Sequence, residues 1–223
     1  MKKQLVNSSI CRFIEILLAA ILSILLTPYL IHNLGSSNYG LWVLVLSTLG
    51  WFNFLDLGLS TAIQRSIVIA IEKSNFRQVN KVFSVAVIFF SIIGVIAASA
   101  TLILAYFPNI LGIEAEKQPT AAMCLTILAL KVFWDFILHC YKGIYNALLR
   151  LDIDANLSAL NTVIKSALIY IYIIDFDILG AVFATIIADA ITHTLKVYYA
   201  KKLCPQLKFQ LKAVSKEEFY NIW

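Results

Sequence analysis

Residues 82–113 read VFSVAVIFFSIIGVIAASATLILAYFPNILGI, 32 positions without an Asp, Glu, Lys or Arg. A second charge-free run, residues 16–55, is 40 positions long. About 20 apolar residues rising 1.5 Å each cross a hydrocarbon core of ~30 Å, so either run is long enough to span a bilayer. The rest of the chain agrees. It has 223 residues, of which 61% are hydrophobic and 14% charged, with a mean hydropathy of +0.83. Soluble domains carry roughly a quarter charged residues, so a water-soluble monomer is ruled out.

Windows of about 19 residues predict six spans: Ile10 to Ile31, Tyr39 to Leu55, Val79 to Phe107, Ala121 to Tyr141, Leu157 to Ile174 and Ile178 to Tyr198. The expected fold class is an all-α integral membrane bundle over residues 1–205, followed by a cytoplasmic linker over 206–223. Gly and Pro punctuate the joins at Asn33-Leu34-Gly35-Ser36-Ser37 and Phe107-Pro108-Asn109, and Asp175-Phe176-Asp177 makes a tight acidic turn. The longest connection is the stretch from Gln64 to Lys81. Barrel strands are excluded because the apolar runs do not alternate and exceed about 9–11 residues. Met1-Lys2-Lys3 is not read as a secretory signal, since Arg12 and Glu15 interrupt the apolar region and no small-residue cleavage site precedes Pro28.

Basic residues mark the cytoplasmic side. An inward N-terminus places 15 of the 18 Lys and Arg there, leaves Lys117 alone outside and puts Lys131 and Lys165 within spans. Both termini are then cytoplasmic. This asymmetry accounts for most of the net +5 and removes the need for a nucleic-acid partner. Cys11, Cys124, Cys140 and Cys204 lack metal or redox spacing and read as small buried hydrophobes. Ser84, Ser91, Gly94 and Ala98 form a small-residue stripe suited to close helix packing. Trp42, Trp51, Tyr29, Tyr39 and Tyr106 fall near span ends, where interfacial anchoring accounts for them.

Charges inside a span cost at least about 2.5–3.5 kcal/mol near its centre, so they face protein or a watery cavity. Lys131 and Asp135 stack one turn apart, with His139 and Lys142 continuing the stripe. The pair reads either as self-neutralising or as part of a site. Ser158, Asn161, Thr162, Lys165 and Tyr172 make a polar face on the fifth span. Lys165 has no acid within one turn of its own helix, so it requires a partner elsewhere or an anionic ligand. Asp189 and His193 are either a proton-sensitive pair or an interhelix hydrogen bond. Glu15 either pairs with Arg12 or joins such a site. Nucleotide-binding, hydrolase and zinc-protease signatures are absent, His32, His139 and His193 form no evident metal set, and no connection is long enough for a catalytic domain. The expectation is a chain that is not an enzyme and needs no metal or cofactor.

One stretch is more specific. Thr27-Pro28-Tyr29-Leu30-Ile31-His32-Asn33-Leu34-Gly35, then Tyr39-Gly40-Leu41-Trp42, then Leu55-Asp56-Leu57-Gly58-Leu59 with Gln64-Arg65 resembles the amino-terminal signature of the polysaccharide-exporter family, which includes the O-antigen (lipid-linked oligosaccharide) flippases. That family shares a superfamily with the multidrug and toxic compound extruders. In physical terms, Pro28 can permit a bend, Gly35 and Gly40 suit a turn, Asp56 can cap amides or contact Arg65, and Gly58 lets the chain turn. Family members are about twice this length, with two bundles across a central cavity. The expectation is therefore a fragment or truncated product holding one bundle, with pairing of two copies as the alternative.

The resemblance implies a multi-pass protein of the bacterial inner membrane. Its substrate would be an undecaprenyl-diphosphate-linked oligosaccharide, with polysaccharide polymerase and ligase machinery as neighbours. Lys131, Lys165, Asn161 and Tyr172 would then line the substrate cavity, and Glu15, Asp135, Asp189 and His193 would couple transport to protons or sodium. A drug exporter of the same superfamily and a non-transporting scaffold for polysaccharide enzymes are the alternatives.

Overall fold

The computed structural model describes residues 2–56 and 58–209, without the side chains of residues 2–5, 53, 56 and 59. Residues 210–223, most of the expected linker, and the side chain of Asp56 thus lie outside the described residues. Five α-helices follow in order: α1 (Lys2–Trp51), α2 (Leu59–Glu72), α3 (Phe76–Tyr106), α4 (Gln118–Ala147) and α5 (Leu151–Leu203). Short 3-10 turns at Phe52–Asp56, Pro108–Leu111 and Ala115–Lys117 join them. Four of the five, all but α2, are long and apolar enough to cross a membrane.

The count differs from the expected six because the residues expected to form the first two spans lie on α1 and those expected to form the last two lie on α5, each helix broken by one non-helical residue and doubling back. In α5 the break is Asp177, at φ 49° and ψ −133°. Residues 28 apart on a straight helix would be about 42 Å apart, yet Asn161 Nδ2 donates to Asp189 Oδ1 at 2.7 Å. The arms touch at Gly180, where a Cβ would stand 2.3 Å from the Tyr172 carbonyl oxygen.

In α1 the break is Gly35, at φ 74° and ψ 159°, a conformation that glycine adopts without a Cβ clash. Ser8 shares a cavity wall with Asn146, Ser37 accepts a hydrogen bond from Lys117, and Gly50 shares a wall with Lys131 and His139. The chain therefore runs the length of α4 and returns. Gly40 lies within the helix, in open space and without a positive φ, so the turn falls to Gly35 alone. Pro28 likewise sits inside α1, whose non-helical residue is Gly35.

The Gln64 to Lys81 connection is largely helical. Ile63, Ile67 and Ala70 of α2 are buried at helical spacing against α3 and α4, while Arg65 faces out. Gly58, at φ 80°, is the residue before α2. Both α2 and α4 end with a residue in the left-handed region, Ser74 and Leu149. Asn75 N–H reaches the Ala70 carbonyl at 2.9 Å, and Arg150 N–H reaches that of Tyr145 at 2.8 Å. Beside the second turn, the Arg150 guanidinium donates to Asp152 at 3.0 and 3.1 Å, and this hydrogen bonding holds it above its ordinary pKa.

Helices α3 and α4 pack closely at Gly94, where a Cβ would meet the Phe133 carbonyl oxygen at 3.0 Å. Cys124, Cys140 and Cys204 are buried free thiols. Trp51 and Tyr106 are exposed, as interfacial aromatics would be, but Trp42 is buried in the core and Tyr29 stacks on Tyr170 at 4.4 Å. Beyond α5, the Asn80 side chain of α3 donates to the Gln206 carbonyl at 3.0 Å and accepts from Lys208 N–H at 2.9 Å.

Two apolar cores form, one near each end of α4. Leu30, Trp42, Leu125, Leu128, Ile173 and Val182 belong to the first, and Ile67, Val79, Phe90, Cys140 and Ile144 to the second. The α4 residues between them, 131 to 135, carry the ionised pair.

Candidate functional site

Lys131 projects from α4 at the level where the two cores part. Its ammonium contacts Asp135 Oδ2 one turn along and Asp189 Oδ2 on the second arm of α5 at 2.9 Å. The other Asp135 oxygen meets His193 Nε2 at 2.8 Å. The other Asp189 oxygen accepts from Asn161 Nδ2, which also donates to Thr192 Oγ1 at 2.9 Å. Six side chains from α4 and both arms of α5 thus form one continuous polar network. Such pairing is how a bundle tolerates ionised groups away from water.

The network borders a cavity of about 330 Å³, walled by Lys131, Asp135, His139, Lys165 and Asp189 and closed by Leu46, Gly50 and Phe52. Lys165 stands one turn beyond Asn161 on the first arm of α5 and makes no ion pair or hydrogen bond among the described residues. Sequence spacing left two readings for each charged pair. The structure adds that Lys131 bridges two carboxylates, and that Asp135 rather than Asp189 is the partner of His193.

The remaining expected positions do not line this cavity. Glu15 pairs with Arg12 at 2.7 Å and takes no part in the network. Tyr172 lies toward the α5 reversal, edge-on to Phe176 at 6.2 Å, and is not part of the cavity wall. Asn161 acts as the clasp between the arms of α5. Arg65 lies on α2 beside Thr61 and Gln64, and any contact with Asp56 falls outside the described residues.

No metal set was legible from the spacing, yet Asp135, Asp189 and His193 bring ligand atoms within 4.8 Å of one another. Lys131 already supplies the positive charge there. What sequence reasoning missed was the interhelix geometry. Its only trace was that Lys131, Asp135, Asp189 and His193 recur at one-turn spacing on two helices.

The family profile described as polysaccharide biosynthesis protein matches residues 5–222. The chain belongs to that family. Among curated proteins no sequence matches this polysaccharide biosynthesis family member. Its fold is similar to that of solved transporters. One is a MOP-superfamily transporter from Pyrococcus furiosus, reported for the reversed polarity of its binding pocket, at TM-score 0.77 and 20% identity over 99% of this chain and 50% of that one. Another is a multidrug resistance MATE transporter of the MOP superfamily in an outward-facing conformation, at TM-score 0.75 and 19% identity over 99% and 50%. The polysaccharide biosynthesis chain thus spans about half the length of these transporters, and it is a multi-pass membrane protein with a transporter-type fold.

Proposed function

We propose that the chain is one half of a flippase that moves undecaprenyl-diphosphate-linked oligosaccharide repeat units across the bacterial inner membrane, from the cytoplasmic to the outer leaflet. Lys165 is the observation that carries this reading. It is an ammonium on a membrane helix, lining a cavity, with no anionic partner among the described residues. A diphosphate would supply that partner, and the family to which the chain belongs supports a sugar-linked one. The polar head crosses between this bundle and a second one by alternating access about a midplane cavity, while the prenyl tail stays in lipid. Both termini of this half face the cytoplasm.

Coupling follows from the charge count. With His193 neutral, Lys131 and Lys165 balance Asp135 and Asp189. A proton on His193 adds one net positive charge beside the cavity and favours an anion there. The test is deletion of the gene followed by radiolabelling of sugars and leaflet-resolved quantification of lipid-linked units. Finished units trapped on the cytoplasmic leaflet, with surface polysaccharide lost, are expected. Normal polysaccharide with no trapped intermediate would sink the reading. The likeness to a multidrug transporter favours a second reading, ion-coupled drug export. Efflux of small cations that is indifferent to lipid-linked sugars would identify it.

A further inference from the structure

A second cavity, about 520 Å³, opens where the start of α1 meets the end of α4 and the start of α5. Its walls include Ser8, Arg12, Lys142, Asn146, Leu151 and Asp154. This is the basic end of the bundle, beside the α4–α5 turn that carries Arg150. Four features point to a ligand. Ser8 is 3% exposed and its hydroxyl has no hydrogen-bond partner among the described residues. The Asn146 Oδ1 atom is likewise buried and unpaired among them. A buried polar atom left unpaired costs free energy unless something fills its place. Among the described residues Lys142 makes no ion pair and the half-exposed Arg12 pairs with Glu15 alone. Finally, Phe13 and Ile16 on the same wall are exposed apolar side chains.

We propose that this cavity binds the headgroup of a membrane lipid, a phosphate flanked by a hydrogen-bond donor, with the lipid chain lying along Phe13 and Ile16. Arg12 and Lys142 face the phosphate, and the Ser8 hydroxyl donates to it. Asn146 Oδ1 and Asp154 accept from the donor part of the headgroup. Asp154 does not repel the phosphate outright, because Lys196 lies 3.7 Å from it. Both a glycerophospholipid and a polyprenyl diphosphate sugar present this chemistry. The inference needs only the membrane setting and stands apart from the flippase reading.

The test is the lipid-dependent melting shift and native mass spectrometry of the purified protein in detergent. Phosphatidylglycerol, phosphatidylcholine, a polyprenyl diphosphate sugar and inorganic phosphate are added separately. Phosphatidylglycerol or the polyprenyl diphosphate sugar should bind, the stronger of the two naming the source, and phosphatidylcholine, which lacks a donor, should bind less. Arg12→Gln with Lys142→Gln should weaken that binding about tenfold or more, the loss expected for charge-assisted hydrogen bonds. Ser8→Ala keeps every charge. It should hold or raise the lipid-free melting temperature, by removing an unpaired hydroxyl, while shrinking the lipid-dependent rise. Equal lipid retention by wild type and the double variant would overturn the proposal, as would stabilisation by inorganic phosphate and by neither lipid.

Discussion

The ammonium of Lys131 on α4 stands 2.9 Å from the Asp189 carboxylate on the second arm of α5 while also contacting Asp135 on its own helix. A tethered cation therefore bridges two carboxylates whose oxygens, with His193 Nε2, lie within 4.8 Å of one another.

Replacing Lys131 with Met should leave two carboxylates facing each other and destabilise the fold by about 3 kcal/mol. The melting temperature of Lys131→Met should then rise with added sodium, against a choline control, while wild type does not respond. The double variant Lys131→Met with Asp135→Asn should be more stable than the single one, because it removes the repulsion. A sodium-independent single variant would show that Lys131 does not substitute for a bound cation.

Removing the Lys165 charge should separate transport from folding. Lys165→Ala should lower translocation of lipid-linked sugars about tenfold, the loss of one charge-assisted contact, with membrane insertion and melting temperature retained. Lys165→Arg should recover part of the rate. Unchanged export in the Ala variant would remove Lys165 from the site.

His193 should hold Asp135 in place. Its Nε2 meets, at 2.8 Å, the Asp135 oxygen that does not contact Lys131. His193→Ala takes that partner away and should cost about 1 kcal/mol, read as a lower melting temperature. An unchanged melting temperature would show that the contact adds nothing to the fold.

The reversal of α5 depends on Gly180. A Cβ there would overlap the Tyr172 carbonyl, so Gly180→Ala should cost about 1–3 kcal/mol as an overpacked contact, visible as a lower melting temperature. Gly40→Ala meets open space and should be close to neutral.

Much of this architecture was legible in sequence because apolar length and punctuation are local signals. The two charge-free runs fall largely on α1 and α3, and Gly35 and the Asp175-Phe176-Asp177 turn contain the two helix breaks. The helix α2 was missed because Gln64, Arg65 and the charges after it drew attention away from Ile63, Ile67 and Ala70 at helical spacing. Trp42 was assigned to the interface from its position near a span end, yet its ring is buried against α4 and α5 residues of the core. The Lys131–Asp189 contact and the shared walls of Lys165 were out of reach, since one chain carries no record of which helix faces lie together.

Asn80 holds the chain beyond α5 through both halves of its side-chain amide, at Gln206 and at Lys208. A pull arriving along residues downstream of 208 is thus delivered to the first turns of α3 rather than to the last turn of α5.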